Sequence, residues 1–277
     1  MARFKALALL AVPLLMMLSP RQVRSGSNGT GPVPVSGSTS PSTSRTPVLV
    51  ELFTSESCSS CPPADALLQR LDRSQPVRNA ELVVLGEHVD YWNDLGWKDP
   101  YSSQQFTLRQ EEYARRFRIG GPYTPQMVVD GNAQLVGSDE RQAVHAIESA
   151  AETAKLAVNL TSIRLEGKNT LAVHIEAGRP PSSSKPVAPS GQVWIAIADD
   201  SDQSNVQRGE NAGRTLTHVA VVRSLTQVGE LDRSGMFSGN AIVNAGNANA
   251  KNLRVVAIVQ EAHSGRVVGV AWGRLPS

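Results

Sequence analysis

Two cysteines, Cys58 and Cys61, are the only thiols of the 277-residue chain, and two serines separate them. A disulfide between residues this close closes a very short loop, which contributes little to global stability. We therefore expect the pair to be chemical rather than structural, cycling between dithiol and disulfide. A metal site is one alternative, because thiolates bind zinc and copper, and an inert disulfide is the other.

The residues around the pair predict a turn between a strand and a helix. Residues 48–54 form a short apolar run typical of a buried strand, and Pro62 and Pro63 fit the first turn of a helix that starts at about Cys61. The positive end of such a helix lowers a thiol pKa. Cys58 is then predicted to be the nucleophile and Cys61 the resolving thiol.

A second element is Thr124-Pro125, directly before another predicted strand. Its position in the element order favours a cis peptide bond at Pro125 that faces the cysteines, with an ordinary trans proline as the alternative. The backbone of Thr124 would then be available to an extended substrate.

His88 and Asp90 end the second predicted strand, at the same edge as Cys58. Two residues apart on a strand, they point to one face and are candidates for proton transfer to a thiol. Cys58, Cys61 and His88 form the alternative metal-binding set. Packing by His88 and loop capping by Asp90 are equally compatible with the sequence.

Glu51 is an acidic residue inside the first apolar strand. A buried carboxylate near the cysteines has a raised pKa and can relay protons. The alternative is a structural ion pair with a basic residue, for which Arg214 in the polar, Gly-rich segment 209–216 is the candidate.

The predicted elements of residues 48–155 run strand, helix, strand, helix, strand, strand, helix. This order is typical of an α/β thioredoxin-like domain. Residues 156–277 instead predict short strands separated by Gly, Ser, Pro and Asn, which indicates a β-rich, sandwich-like antiparallel domain or an extension of the first. The predicted strands there are 156–165, 170–176, 192–198, 215–222, 253–260 and 267–272.

The amino end predicts export. Residues 1–24 combine basic residues with an apolar run that is too short to span a bilayer, as in a signal peptide, and residues 25–47 predict a flexible linker rich in Ser, Gly and Pro. We therefore expect a secreted or periplasmic protein of the bacterial cell envelope, without a stable membrane span after signal removal. The formal charge is +2, and without the four basic residues of the signal it is −2, so nothing indicates a nucleic-acid partner.

Several motifs together resemble DUF1223, a family of secreted bacterial thioredoxin-like proteins of unknown function. The resemblance implies a thioredoxin-like fold with an added β-rich part, and it supplies no substrate. The matching segments are residues 51–55, 58–65, 88–92, 96–100, 123–129 and 209–216.

The function predicted from these features is thiol–disulfide exchange without a cofactor, with thiol or disulfide proteins as substrates or redox partners. The predicted catalytic residues are Cys58, Cys61, Pro125, Thr124, His88, Asp90 and Glu51. A copper or zinc chaperone and a non-catalytic envelope interaction protein are the two alternatives.

Overall fold

The computed structural model describes residues 45–167, 169–179, 190–245 and 252–275. The predicted signal peptide and nearly all of the predicted linker lie outside the described residues. The described ranges contain three helices and eleven strands, which are, in chain order, β1 (Thr46–Thr54), α1 (Pro62–Ser74), β2 (Ala80–His88), α2 (Gln104–Phe117), β3 (Gln126–Val129), β4 (Ala133–Val136), α3 (Glu140–Ala151), β5 (Ala157–Leu165), β6 (Thr170–Gly178), β7 (Gly191–Asn205), β8 (Thr215–Glu230), β9 (Phe237–Asn244), β10 (Leu253–Glu261) and β11 (Val267–Arg274).

The predicted start of α1 is confirmed. Cys61 is the N-cap of α1, with prolines in the first two helical positions. Ser103 caps α2 by accepting a hydrogen bond from the backbone N–H of Gln105, and Asp139 caps α3 by accepting one from the backbone N–H of Gln142.

Strands β1 and β2 are parallel and end together, with Thr54 opposite His88. β3 runs antiparallel to β1 and forms a hairpin with β4. Asp130 and Gly131 both have positive φ in the hairpin turn, at 51° and 61°. The end of the parallel pair is therefore the edge at which the cysteine segment begins.

The predicted fold class, a thioredoxin-like α/β domain followed by a β-rich, sandwich-like antiparallel domain or extension, is wrong. One mixed sheet of eight strands has the order β11-β10-β7-β8-β2-β1-β3-β4, so strands from both sides of residue 155 share it. Strands make up 47% of the described residues and helices 19%, so the architecture is mainly β. Four strands of the carboxyl half, β7, β8, β10 and β11, therefore extend the first sheet.

The joint between the two halves of the sheet depends on a glycine. β8 pairs in parallel with β2 where Val221 lies opposite Gly86. A Cβ atom at Gly86 would lie 3.0 Å from the carbonyl oxygen of Val219, so a side chain there would hold the strands apart. The apolar pattern of β8 gives its buried face but not its partner strand, which is why the sequence did not predict this pairing.

The large sheet curls until β11 lies near β1 and β3. The backbone N–H of Val267 donates to the carbonyl of Asp130, and Lys155 bonds both the Val267 carbonyl and the Asp130 carboxylate. Residues of β1, β2, β7, β8, β10 and β11 fill the inside of the curl together with Phe106 of α2. Helices α1 and α3 cover the opposite face of β1 and β3.

A second sheet, β5-β6-β9, packs against the outer face of β7, β10 and β11. β9 was not predicted, because its sequence mixes Gly and Asn with only a few apolar residues. Among the helices of the described residues, none is long and apolar enough to cross a membrane.

Candidate redox site

The two cysteines lie between the end of β1 and the start of α1, and they form a disulfide. Its S–S distance is 2.15 Å and the Cα atoms are 5.4 Å apart. Cys58 and Cys61 are fully buried, whereas Ser59 and Ser60 between them are exposed. The backbone N–H of Cys61 donates to the carbonyl of Cys58, which closes a turn directly before the helix.

Thr124-Pro125 has the predicted cis peptide bond. Pro125 is buried beside the first turn of α1, since a Cβ atom built on Gly137 would lie 3.1 Å from the Cβ atoms of both Pro125 and Ala64. The hydroxyl of Thr124 accepts a 2.8 Å hydrogen bond from the indole of Trp92. Pro125 thus shares a face of the sheet with the helix that carries Cys61.

His88 and Asp90 have different partners. His88 Nδ1 lies 2.7 Å from a carboxylate oxygen of Asp99, and the same oxygen accepts the backbone N–H of Glu56. Burial acts to raise the pKa of Asp99, but His88 and the hydrogen bonds hold it below its ordinary value. Asp90 instead bonds the hydroxyl of Thr107 on α2, so the two side chains do not act as a pair.

A second histidine, His218 on β8, lies beneath the cysteine segment and was not predicted. Its Nε2 is 3.2 Å from Glu56 Oε1, and its Nδ1 is 3.9 Å from Asp65 Oδ1. Burial alone would lower the pKa of His218, but Asp65 and Glu56 raise it to about 10, so the imidazole is protonated at neutral pH. Its ring packs edge-on against His88, with 4.7 Å between the centroids.

These groups form what we call the disulfide-side cluster: Glu56, Asp65, His88, Asp99 and His218. Glu56 also accepts hydrogen bonds from the indole of Trp97 at 2.7 Å and from the hydroxyl of Ser204. The sequence signal for the cluster was weak, since His88, Asp99 and His218 are distant in sequence from the cysteine segment that carries Glu56 and Asp65.

The β7–β8 loop, residues 206–214, covers the cysteine segment. The side-chain amide of Asn211 donates to the carbonyls of Glu56 and Cys58, at 2.8 and 3.0 Å. Glu210 accepts the backbone N–H of Ser59. Arg214 donates to the Asn211 side chain, so the proposed pairing of Arg214 with Glu51 is wrong. The strands that extend the sheet thus supply both His218 and the cover of the disulfide.

Glu51 lies on the other face of β1, beneath α2. Its carboxylate is 2.6 Å from the guanidinium of Arg109 and accepts a 2.7 Å hydrogen bond from Tyr113. Leu52, the next residue, faces α1 and Pro125, so strand alternation places Glu51 away from that side. We call its surroundings the α2-side cluster, formed by Glu51, Glu87, Arg109, Tyr113 and Gln260.

The alternative metal-binding set is not assembled. Both sulfurs are joined to each other, and His88 is bonded to Asp99. In the part of the chain that the structure describes, no group of three or more His, Cys, Asp or Glu side chains has the geometry to hold a metal ion.

The fold and the site define a mainly β protein with a buried disulfide at a strand-to-helix turn, covered by a loop from an added hairpin. The sequence model of the family described as "Protein of unknown function (DUF1223)" matches residues 49–260, and the chain belongs to that family.

Solved structures similar to this one include the following two. Protein AGR_C_4864 from Agrobacterium tumefaciens is 27% identical, with a TM-score of 0.64 over 84% of this chain and 96% of that one. HBP35 of Porphyromonas gingivalis is 14% identical, with a TM-score of 0.54 over 84% of this chain and 76% of that one, and shows a likeness of fold alone. Comparison with curated proteins gave no match.

Proposed function

We propose that this protein is a thiol–disulfide oxidoreductase that acts through Cys58 and Cys61. The observation that carries the proposal is the position of the disulfide, which ends at the N-cap of α1. There the free N–H groups and positive helix end favour a thiolate over a thiol. Two exposed serines between the cysteines place the bond next to solvent, although both cysteines are buried.

The proposed thiol–disulfide exchange proceeds as two successive displacements at sulfur. A substrate thiolate attacks Cys58 Sγ, a mixed disulfide forms, and Cys61 leaves as a thiolate that takes up a proton. The second substrate thiolate then attacks the substrate sulfur of the mixed disulfide and releases Cys58 as a thiolate. Two electrons pass from the substrate dithiol to the protein, and the reverse sequence with a partner disulfide restores Cys58–Cys61.

We propose that the substrates are protein thiols or disulfides in the cell envelope, to which the predicted signal peptide would direct this protein. Apolar side chains near the site support a polypeptide substrate, because Tyr91 and Leu95 are 40% and 55% exposed in the segment between β2 and α2. That segment meets the loop over the disulfide, since Gly209 lies against Trp97 and the Leu95 carbonyl. Pro125 and Thr124 stand at the same end of β3 as candidates for contact with an extended chain.

A redox titration tests this function. The purified protein is equilibrated with mixtures of reduced and oxidised glutathione, trapped with a maleimide and analysed by mass. We expect a single two-electron transition between disulfide and dithiol in the folded protein. A pair that stays oxidised at every glutathione ratio would identify an inert structural disulfide and overturn the proposal.

Single-cysteine variants assign the roles of the two sulfurs. Cys61→Ser leaves Cys58 able to attack but removes the resolving thiol, so we expect it to accumulate a mixed disulfide with a disulfide-containing test protein. Cys58→Ser is the matched control and is expected to trap none. Equal trapping by the two variants would contradict the assignment of Cys58 as nucleophile.

A further inference from the structure

We propose that His218 is a positioning residue that sets the reduction potential of the Cys58–Cys61 pair. This inference rests on the function proposed above and assigns a role within it to a residue from the added strands.

The position of His218 supports this role. Glu56 precedes Cys58 by two residues and Asp65 follows Cys61 by four, and His218 lies between their carboxylates at 3.2 and 3.9 Å. One imidazole therefore bridges the two ends of the segment that contains both cysteines. The side chains of all three residues are at least nine-tenths buried, so water screens their charges little.

The charge of His218 supports the same role. Reduction of the disulfide at neutral pH places a thiolate in a segment that already carries two buried carboxylates, Glu56 and Asp65. The imidazolium of His218 offsets one of these negative charges. Without it, like-charge repulsion would disfavour the thiolate and hence the reduced state.

The neighbours of His218 on each packed element do not replace its charge. His88 from β2 and Tyr101 from the segment before α2 pack their rings against it, and His88 is itself bonded to Asp99. Burial raises the pKa of Tyr101 to about 12, so its hydroxyl is neutral. Asp202 of β7 lies opposite His218 in the strand register and adds a carboxylate to this side of the cluster.

The nearest basic side chain on the same strand, Arg223, interacts with other residues. Arg223 lies over the Tyr101 ring and is 3.0 Å from the carboxylate of Asp199. His218 is therefore the cation that is placed directly against both carboxylates of the cysteine segment.

The test compares His218→Gln with Asp65→Asn in the glutathione titration on the full protein. We expect His218→Gln to lower the equilibrium constant for reduction about tenfold, which corresponds to about 30 mV towards a more negative potential. Asp65→Asn removes a negative charge and is expected to shift the constant in the opposite direction. His174→Gln on β6 is the matched control, since His174 is beside Glu176 but far from the disulfide in the second sheet.

A second readout is the pKa of the Cys58 thiol, measured from the pH dependence of alkylation of the reduced protein. We expect it to rise in His218→Gln and to fall in Asp65→Asn. A merely structural role would give both variants the same sign, because each breaks the same bridge.

The outcomes separate this inference from the function it rests on. A wild-type protein that never exchanges with glutathione overturns both. A wild-type protein that exchanges, with His218→Gln within twofold of it, overturns only the role of His218. If His218→Gln does not fold, Asp65→Asn is the deciding variant. An equilibrium constant for reduction larger than that of the wild type supports the role of His218, and an unchanged or smaller constant overturns it.

Discussion

Two buried polar clusters lie on opposite faces of the same pair of parallel strands, β1 and β2. The disulfide-side cluster surrounds His218, and the α2-side cluster surrounds Arg109. Each places two buried carboxylates near one cation: Glu56 and Asp65 in the first, Glu51 and Glu87 in the second. They differ in what lies beside them, since only the first adjoins a bond that thiol exchange makes and breaks.

The α2-side cluster is centred on Arg109. Arg109 is 2.6 Å from Glu51 and 3.6 Å from Glu87, and both carboxylates are fully buried. The pKa of Glu87 is raised well above its ordinary value by burial and by the charge of Glu51, and Arg109 lowers it too little to compensate. Burial and the Glu51 charge thus favour the neutral form of Glu87, and the Arg109–Glu51 ion pair is the contact that holds α2 on the sheet. The comparison teaches that similar residues serve structure on one face and a candidate reaction on the other.

The largest expected effect breaks the ion pair of the α2-side cluster. Arg109→Met leaves the Glu51 carboxylate buried without a cation, and we expect a loss of about 3–5 kcal/mol in the free energy of unfolding. Urea denaturation measures it. The glutathione equilibrium of the folded fraction should stay within twofold of the wild type, because this cluster does not reach the disulfide.

Arg115→Met is the matched control for that experiment. Arg115 is on the same helix, its side chain is 63% exposed, and its ion pairs are at the surface, so the expected loss is below about 1 kcal/mol. A small effect of Arg109→Met, or a large shift in its glutathione equilibrium, would break the distinction between the two clusters.

The next effect is the pH dependence of stability that His218 contributes. Its pKa is about 10 in the folded protein and 6.5 as the ordinary value, so the folded state holds the proton more tightly. This stabilisation is complete below pH 6.5 and is lost as the pH rises through 10. Relative to His218→Gln, the wild type should lose roughly 4 kcal/mol over that range.

Chemical denaturation of both proteins at a series of pH values measures this difference. Taking the difference removes groups that titrate in the same way in each protein. Parallel stability curves between pH 6.5 and 10 would show that His218 is not held as a cation between Glu56 and Asp65.

A third prediction concerns the loop that covers the disulfide. Asn211→Ala removes two buried hydrogen bonds to the carbonyls of Glu56 and Cys58, and we expect a loss of about 2 kcal/mol in stability. Reduction of the disulfide by dithiothreitol should become about tenfold faster, as a cover released by roughly 1.4 kcal/mol would give. Gln207→Ala, in the same loop but exposed, is the control. An unchanged reduction rate would mean that the loop does not limit access to the cysteines.

The sequence predicted the local parts of this arrangement better than the distant ones. The turn between β1 and α1 follows from two prolines and an apolar strand, and the hairpin of β3 and β4 follows from Asp130-Gly131. Glu51 is close to the cysteines in sequence, but alternation along β1 turns it to the opposite face, where α2 supplies Arg109. The face of the sheet to which Glu51 points could have been predicted from alternation along β1, whereas its partner Arg109 could not.

His218 and Asn211 illustrate the part that the sequence left open. His218 occupies an ordinary polar position in an apolar strand, and only the pairing of β8 with β2 at Gly86 brings it to the cysteine segment. The segment 209–216 stood out as polar and Gly-rich, but its contact with Cys58 depends on the length and bend of the β7–β8 hairpin. Pairings between distant strands decide the site, and local patterns do not specify them.

The smallest expected effect sharpens the comparison from the α2 side. Because the folded-state pKa of Glu87 is raised, its neutral form is the one the fold accommodates, and stability is lost as the pH rises above 4.5. Glu87→Gln keeps the shape and stays neutral, so we expect a small gain in stability at pH 7 and a flatter stability curve above pH 4.5. Thermal and urea unfolding measure it, with the exposed Glu148→Gln as control. A loss of stability would mean that Glu87 is ionised and shares Arg109 with Glu51, and the two clusters would then each hold two charged carboxylates around one cation.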